Sequence, residues 1–375
     1  MKSNLLIAAA ALAIAGCNNA APVAPPFANR FTGPPSNPNG ITVMTRNIDE
    51  GANLDPILLA TDPNQVPVAV GQIFGEMTAN NFPERAGALA REIASTRPQL
   101  IGLQEVALWR VQTGPNPFTP ATTVAFDYLD ILLDSLRAQG VQYDSVAAQV
   151  GGDVQLPGVV SVNPLTIIGV RLTEREAIIA RKDVAVHDAT SGNYQAAVAI
   201  SLGATIIFEK RNWVSVRATV GKREIRFVTT HLTQQRNEAV QLAQAQELIT
   251  LLADEQDPLI LTGDFNSAAD GSQTPTYGIL LAAGYRDLWS DRFPRAPGYT
   301  CCAADDLHDA TVRFDQRLDL VLVHDPRAPN AGGIVGLVRA DIVGDTPSER
   351  TVSGLWPSDH AGVVASLLLP PVEHP

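Results

Sequence analysis

Gly263-Asp264-Phe265-Asn266-Ser267 follows the apolar run Leu259-Ile260-Leu261-Thr262, so a buried strand is expected to deliver Asp264 and Asn266 to its exit. Two short polar side chains at such a place can hold a water molecule and a phosphate oxygen. Ser358-Asp359-His360 closes another segment, pairing a carboxylate suited to a cation with an imidazole suited to developing negative charge. Glu105, in Leu103-Gln104-Glu105-Val106, and His231, in Thr229-Thr230-His231-Leu232, end two further apolar runs. Oxygen donors favour a hard divalent cation, and the set suits cation-assisted attack of water on a phosphate ester. Each residue also has a plainer use. Asp264 and Asn266 suit an Asx turn, and a lone histidine is commonly a satisfied core residue. Asp359 beside His360, and the strand-borne Asp319, favour a histidine–carboxylate pair instead.

The elements that must carry these groups alternate strand and helix. Ile41–Arg46, Leu100–Leu103, Ala177–Ala180, Trp213–Val220, Ile225–Thr230, Leu259–Thr262, Leu318–Val323 and Val363–Leu369 read as strands. Pro83–Thr96, Phe126–Ala138, Asn237–Ala253 and Tyr277–Ala283 read as helices, Pro83 lying just inside the first and Gly140 beyond the second. Hairpins mixed with helical crossovers predict two packed sheets covered by helices. The stretches 49–82, 107–124 and 151–165, rich in Pro and Gly, read as loops. Trp109 and Phe118 in the second of these, and Trp356, are candidates for a substrate pocket or for plain packing.

Lys2, an apolar stretch of about ten residues from Leu5 to Ile14, and Ala15-Gly16-Cys17 read as a signal peptide too short to span a bilayer. Ile14-Ala15-Gly16-Cys17 resembles a bacterial lipobox, which implies lipidation at Cys17. The organisation expected is a leader at 1–16, an Ala/Pro/Asn-rich tether at 17–39 and one domain at 40–370. That places the chain at the cell envelope, facing the periplasm or exterior, on a membrane by its lipid anchor only. The formal net charge is −12, and −13 once Lys2 leaves. So acidic a chain lacks the footprint of a non-specific nucleic-acid binder, though folding could gather Arg46, Arg181 and Arg317 around one site. Cys301 and Cys302 are the only other cysteines. Adjacent cysteines seldom bond to each other, yet an oxidising compartment offers them no other partner in the chain.

Six blocks in order resemble the endonuclease/exonuclease/phosphatase superfamily, which includes DNase I-like nucleases, neutral sphingomyelinases and inositol polyphosphate 5-phosphatases. They are Thr45-Arg46-Asn47-Ile48, Leu103-Gln104-Glu105-Val106, Thr229-Thr230-His231-Leu232, Gly263-Asp264-Phe265-Asn266, Arg317-Leu318-Asp319-Leu320-Val321-Leu322 and Ser358-Asp359-His360. The resemblance implies an α/β fold, a four-layered α/β sandwich of two mixed sheets flanked by helices. It implies a Mg²⁺ or Mn²⁺ cofactor on Glu105 with Asp359, and Asp49 near the metal. Asp264 would orient or deprotonate water, Asn266 and Asn47 would hold it or the phosphate, and His360, oriented by Asp319, would stabilise phosphoryl charge. His231 would contact phosphate or protonate the leaving oxygen.

The expected activity is hydrolysis of a phosphate mono- or diester, small or lipid-derived, by a monomer. A secreted or surface-attached nuclease and a non-catalytic binding protein on the same fold are the alternatives. His187, His308, His324 and His374 belong to no constellation.

Overall fold

The computed structural model describes residues 39–116, 118–202, 205–325 and 336–369. The expected leader, Cys17 and nearly all of the tether lie outside the described residues. In chain order the first half contains β1 (Gly40–Asn47), α1 (Asp55–Leu58), α2 (Val66–Ala79), α3 (Phe82–Thr96), β2 (Leu100–Gln104), β3 (Leu108–Thr113), β4 (Thr123–Asp127), α4 (Tyr128–Ala138), β5 (Tyr143–Val162) and β6 (Leu165–Arg181). There follow β7 (Val186–Asn193), β8 (Val198–Leu202), β9 (Thr205–Glu209), β10 (Asn212–Val220), β11 (Arg223–His231), α5 (Glu238–Leu252) and β12 (Leu259–Asp264). The chain ends with α6 (Thr276–Ala282), β13 (Arg286–Asp287), α7 (Leu288–Arg292), β14 (Asp319–His324), β15 (Gly336–Val343) and β16 (Gly362–Leu368).

Two mixed sheets stack face to face. One runs β15-β16-β1-β2-β6-β3-β4, with β5 on the other flank of β6; the second runs β13-β14-β12-β11-β10-β7. Their central strands are buried on both faces and therefore read as near-continuous apolar runs. In β12, Ile260 points between the sheets while Leu259 and Leu261 point to the helices, and β14 divides Val321 and Val323 from Leu320 and Leu322 in the same way. Helices α3 and α4 cover the first sheet, where Phe82 and Tyr128 stack at 3.6 Å between ring centres. Helices α5 and α6 cover the second. The order helix, sheet, sheet, helix is the expected sandwich. Where the sheets approach most closely, a Cβ on Gly102 would lie 2.3 Å from Thr229 Oγ1, so glycine is required there.

Three expected loops are ordered elements. Residues 49–82 contain α1 and α2, residues 107–124 contain β3 and the start of β4, and 151–165 run through β5 into β6. These pieces are sheet edges or lie over one, with polar and apolar residues intermixed, so no long apolar run announces them. Trp109 is accordingly a buried residue of β3, and Phe126 belongs to β4, because Asp127 rather than an earlier residue caps α4 by accepting from Leu129 N at 3.1 Å.

Candidate active site

The register brings the polar ends of the apolar runs to one place. Asn47 pairs with Gln104 across β1 and β2; His231 pairs with Asp264 across β11 and β12, and Asp264 with Asp319 across β14. Strands β2 and β3 run end to end along β6. Leu103 faces Ala177 and Leu108 faces Thr173, five steps on one side against four on the other. The extra residue is a bulge, and within it Glu105 takes φ 58°, which turns its side chain out of the sheet. Gly263 adopts φ 151°, and a Cβ there would lie 2.1 Å from Thr230 O; only glycine lets the two strand ends close on each other.

Asn47 ties the halves together. Its Nδ2 donates to Glu105 Oε1 at 2.9 Å and to Asp264 Oδ2 at 3.3 Å, and its Oδ1 accepts from Asp49 N at 2.9 Å. Asp264 Oδ1 accepts from Asn266 N at 2.9 Å, while its Oδ2 lies 3.4 Å from His231 Nε2 and 3.8 Å from His360 Nε2. Asp319 Oδ2 accepts from His360 Nδ1 at 2.7 Å, leaving Nε2 to face the site. Burial alone would lower the His360 pKa, but the charges of Asp319, Asp359 and Asp264 outweigh it and hold the imidazolium well above its ordinary range. Cys302 Sγ lies 3.9 Å from His360 Nε2, and Cys301 and Cys302 are bonded to each other.

His231 lives in the opposite environment. Arg211 Nη1 sits 2.9 Å from its Nδ1, and burial followed by the Arg211 charge pushes its pKa well below the ordinary value. A guanidinium cannot accept a hydrogen bond, so Nδ1 accepts from Arg211, while Asn266 Nδ2, another donor, lies 3.1 Å from Nε2. The more distant Glu176 Oε1, at 3.7 Å, is outside hydrogen-bonding range of Nδ1.

Acidic groups line a cleft of about 250 Å³ beside these residues, among them Asp49, Glu50, Glu105, Glu174, Glu209 and Asp359. Arg211 is the only basic residue lining it among the described residues. Burial, then the charges of Asp359 and Asp49, lifts the Glu105 carboxyl to about 7; burial and Asp49 help lift Asp359 to about 6. Glu50 Oε2 is buried without a hydrogen-bond partner, and Asp49 Oδ2, likewise without a hydrogen bond, lies 3.3 Å from Arg85 Nη1. Mutually repelling carboxylates with spare oxygen lone pairs fit a hard divalent cation. Glu105–His231–Asp264, Glu174–Glu176–His231 and Asp264–Asp319–His360 each offer ligand atoms within 4.8 Å of one another, and Asp359 and Asp49 act on Glu105 through their charge.

All nine expected site residues of the domain therefore line one region. Sequence reasoning passed over several others. Arg85, wholly buried on α3, donates to Ile48 O, Pro357 O and Asp49 O and so clamps the loops carrying Asp49 and Asp359. Its signal was a charged residue on the apolar face of an amphipathic helix. Ser358 Oγ donates to Asn47 O at 2.8 Å and accepts from His360 N at 3.2 Å. Arg181 and Arg317 pair with Asp183 and Asp287, while Arg46, ion-paired to Glu92, also donates from Nη1 to Asn47 O and His360 O and so braces the site from beneath. Among the other histidines, His187 lies by Glu224 and His324 by Tyr285, both away from it.

A family model described as the Endonuclease/Exonuclease/phosphatase family matches residues 71–360. No curated protein matches the sequence. Among solved structures, a family protein from Bacteroides thetaiotaomicron is 17% identical with TM-score 0.54, covering 90% of this chain and 97% of its own. A mannosyl-6-phosphatase from the same organism is 16% identical with TM-score 0.51, covering 88% of this chain and 100% of its own. A humanized D. rerio TDP2 is 17% identical with TM-score 0.51, covering 88% and 99%. At these identities the likeness concerns the fold.

Proposed function

The chain belongs to the endonuclease/exonuclease/phosphatase family, and from that premise we propose that it is a divalent-cation-dependent phosphoesterase of the cell envelope. Its substrate would be a phosphate mono- or diester, small or lipid-derived. The observation that carries this is the convergence of Glu105, Asp264, His231 and His360 through Asn47 and Asp264, beside an acidic cleft that Glu105 lines.

Glu105, with Asp359 and Asp49 adding charge, would hold Mg²⁺ or Mn²⁺. The chemistry a bound cation supplies is polarisation of a phosphate oxygen and neutralisation of leaving-group charge. Asp264, whose pKa is raised chiefly by burial, orients the water and takes its proton. The water oxygen bonds to phosphorus as the bond to the alcohol breaks; the departing alkoxide takes a proton from solvent, and Asp264 releases to solvent the proton it took. His360, kept cationic and upright by Asp319, donates from Nε2 to the charge growing on the phosphoryl oxygens. His231 stays neutral, so hydrogen bonding rather than proton delivery is its role. Asn47 and Asn266 fix the positions of these groups.

An acidic cleft with a single arginine disfavours the nuclease reading, because affinity for nucleic acid comes largely from neutralising phosphates. Attachment through a lipid on Cys17 would hold the domain at the membrane. The test is product release from p-nitrophenyl phosphate, bis-p-nitrophenyl phosphate, sugar phosphates, phospholipids and plasmid DNA with Mg²⁺ or Mn²⁺. Cation-dependent hydrolysis of a non-nucleic ester is expected; plasmid nicking alone would favour the nuclease, and no turnover of any kind would favour a binding protein.

A further inference from the structure

Next to the acidic cleft lies a second cavity of about 110 Å³, and its walls are apolar. Leu58, Ile73, Trp109, Leu156, Leu172 and Ile207 contribute to them. The two spaces share Leu54, Leu58, Glu174 and Glu209 as lining residues. Glu50 joins them more tightly still. Its carbonyl accepts from Trp109 Nε1 at 3.0 Å, and its N–H donates to Glu105 Oε2 at 2.9 Å. One residue thus connects the indole wall of the cavity to the carboxylate at the centre of the site.

We propose that this cavity receives the apolar part of the alcohol in a phosphate ester whose phosphate lies in the acidic cleft, an inference that rests on the phosphoesterase reading. Glu174 and Glu209 at the shared boundary are both ion-paired to Arg211, so no bare carboxylate solvates the entrance. An apolar space offers water no partners and gains by taking an apolar group. On the outer side the apolar surface continues to the solvent, with Phe208 53% exposed, as an entrance needs and a sealed packing void does not. A volume near that of known benzene-binding cavities suits a phenyl ring or an alkyl chain of about six carbons. Sugar and polyol esters have nothing to place there.

Kinetics of ethyl, butyl, hexyl and phenyl phosphate hydrolysis test the proposal. Each methylene entering the cavity is expected to raise kcat/KM roughly three- to fourfold, giving hexyl about 100-fold over ethyl. Phenyl against hexyl separates an aryl from an alkyl occupant. Ile207→Asp puts a charge into a half-exposed wall, and Gly152→Val fills the space from β5, where an added Cβ meets nothing closer than 3.8 Å. Both should abolish the chain-length preference and leave ethyl phosphate turnover unchanged. Equal rates along the wild-type series would overturn the proposal while sparing the phosphoesterase reading. If no ester is turned over, 1-hexanol is added in a thermal-shift assay. Whether or not it stabilises the wild type over Ile207→Asp, a substrate role for the cavity is then overturned, and hexanol binding would leave only an apolar ligand site.

Discussion

Arg211 Nη1 lies 2.9 Å from His231 Nδ1 and helps keep that ring neutral, whereas His360, held by Asp319 at 2.7 Å, is kept charged. Two histidines on either side of Asp264 thus differ in protonation: burial and then Arg211 lower the His231 pKa, whereas Asp319, Asp359 and Asp264 together raise that of His360.

Replacing Arg211 with methionine removes the cation and leaves Glu174 and Glu176 near the ring. The His231 pKa should rise, because the Arg211 charge is one of the causes that lower it. NMR titration of the imidazole carbons in wild type and Arg211→Met checks this; an unchanged titration would mean burial alone keeps His231 neutral.

Asp264 and His360 should act as one unit. Asp264→Ala and His360→Ala are each expected to lose roughly 10³-fold in kcat, and the double variant barely more, since groups that work together are non-additive. Losses that multiply in a double-mutant cycle would assign them to separate steps. Asp319→Asn should cost activity through His360 alone, and so add little in a His360→Ala background.

Without a cation, the raised carboxyls make the domain less stable as pH rises. The protonated forms of Glu105 and Asp359 persist to about 7 and about 6 in the folded state. The stability they contribute is full below the ordinary carboxyl range and is lost as pH climbs through those values. Millimolar Mg²⁺ or Mn²⁺ needs the ionised groups, so it should raise Tm near pH 8 and scarcely near pH 5. Differential scanning fluorimetry in EDTA and in each cation reads this directly. A cation effect equal at both pH values would place the ion elsewhere.

The six strand-end blocks were legible because doubly buried strands leave long apolar runs, and a polar residue at the end of one stands out. Asp264, Asn266, His231, Asp319 and His360 could be read in this way, as could the layer order. The peripheral elements β3, β5, β7 and the β8–β9 hairpin could not, since partial exposure gives them mixed composition. Arg211 and Glu174 meet the site only through pairings far apart in sequence. Glu105 was visible as a residue, but the bulge that aims it depends on its register against β6.

Cys17→Ser should prevent lipid attachment and change processing of the leader. Labelling cells with a clickable fatty acid is expected to mark the wild-type protein and not the variant. An unlabelled, soluble wild-type protein would remove the anchor from the account.

Glu105 is the carboxylate that Asn47 and Glu50 hold in place and whose pKa the charges of Asp359 and Asp49 raise. Glu105→Gln preserves its shape and removes one unit of charge. The most direct measurement is therefore the rate of bis-p-nitrophenyl phosphate hydrolysis by wild type and Glu105→Gln, each with Mg²⁺, with Mn²⁺ and with EDTA. Wild type should turn over only with a cation, and the variant should be slower by about 100-fold or more, with unchanged Tm in EDTA near pH 5, where Glu105 is protonated. Full wild-type activity in EDTA, or a Glu105→Gln variant as fast as wild type, would contradict a cation-dependent phosphoesterase centred on this residue.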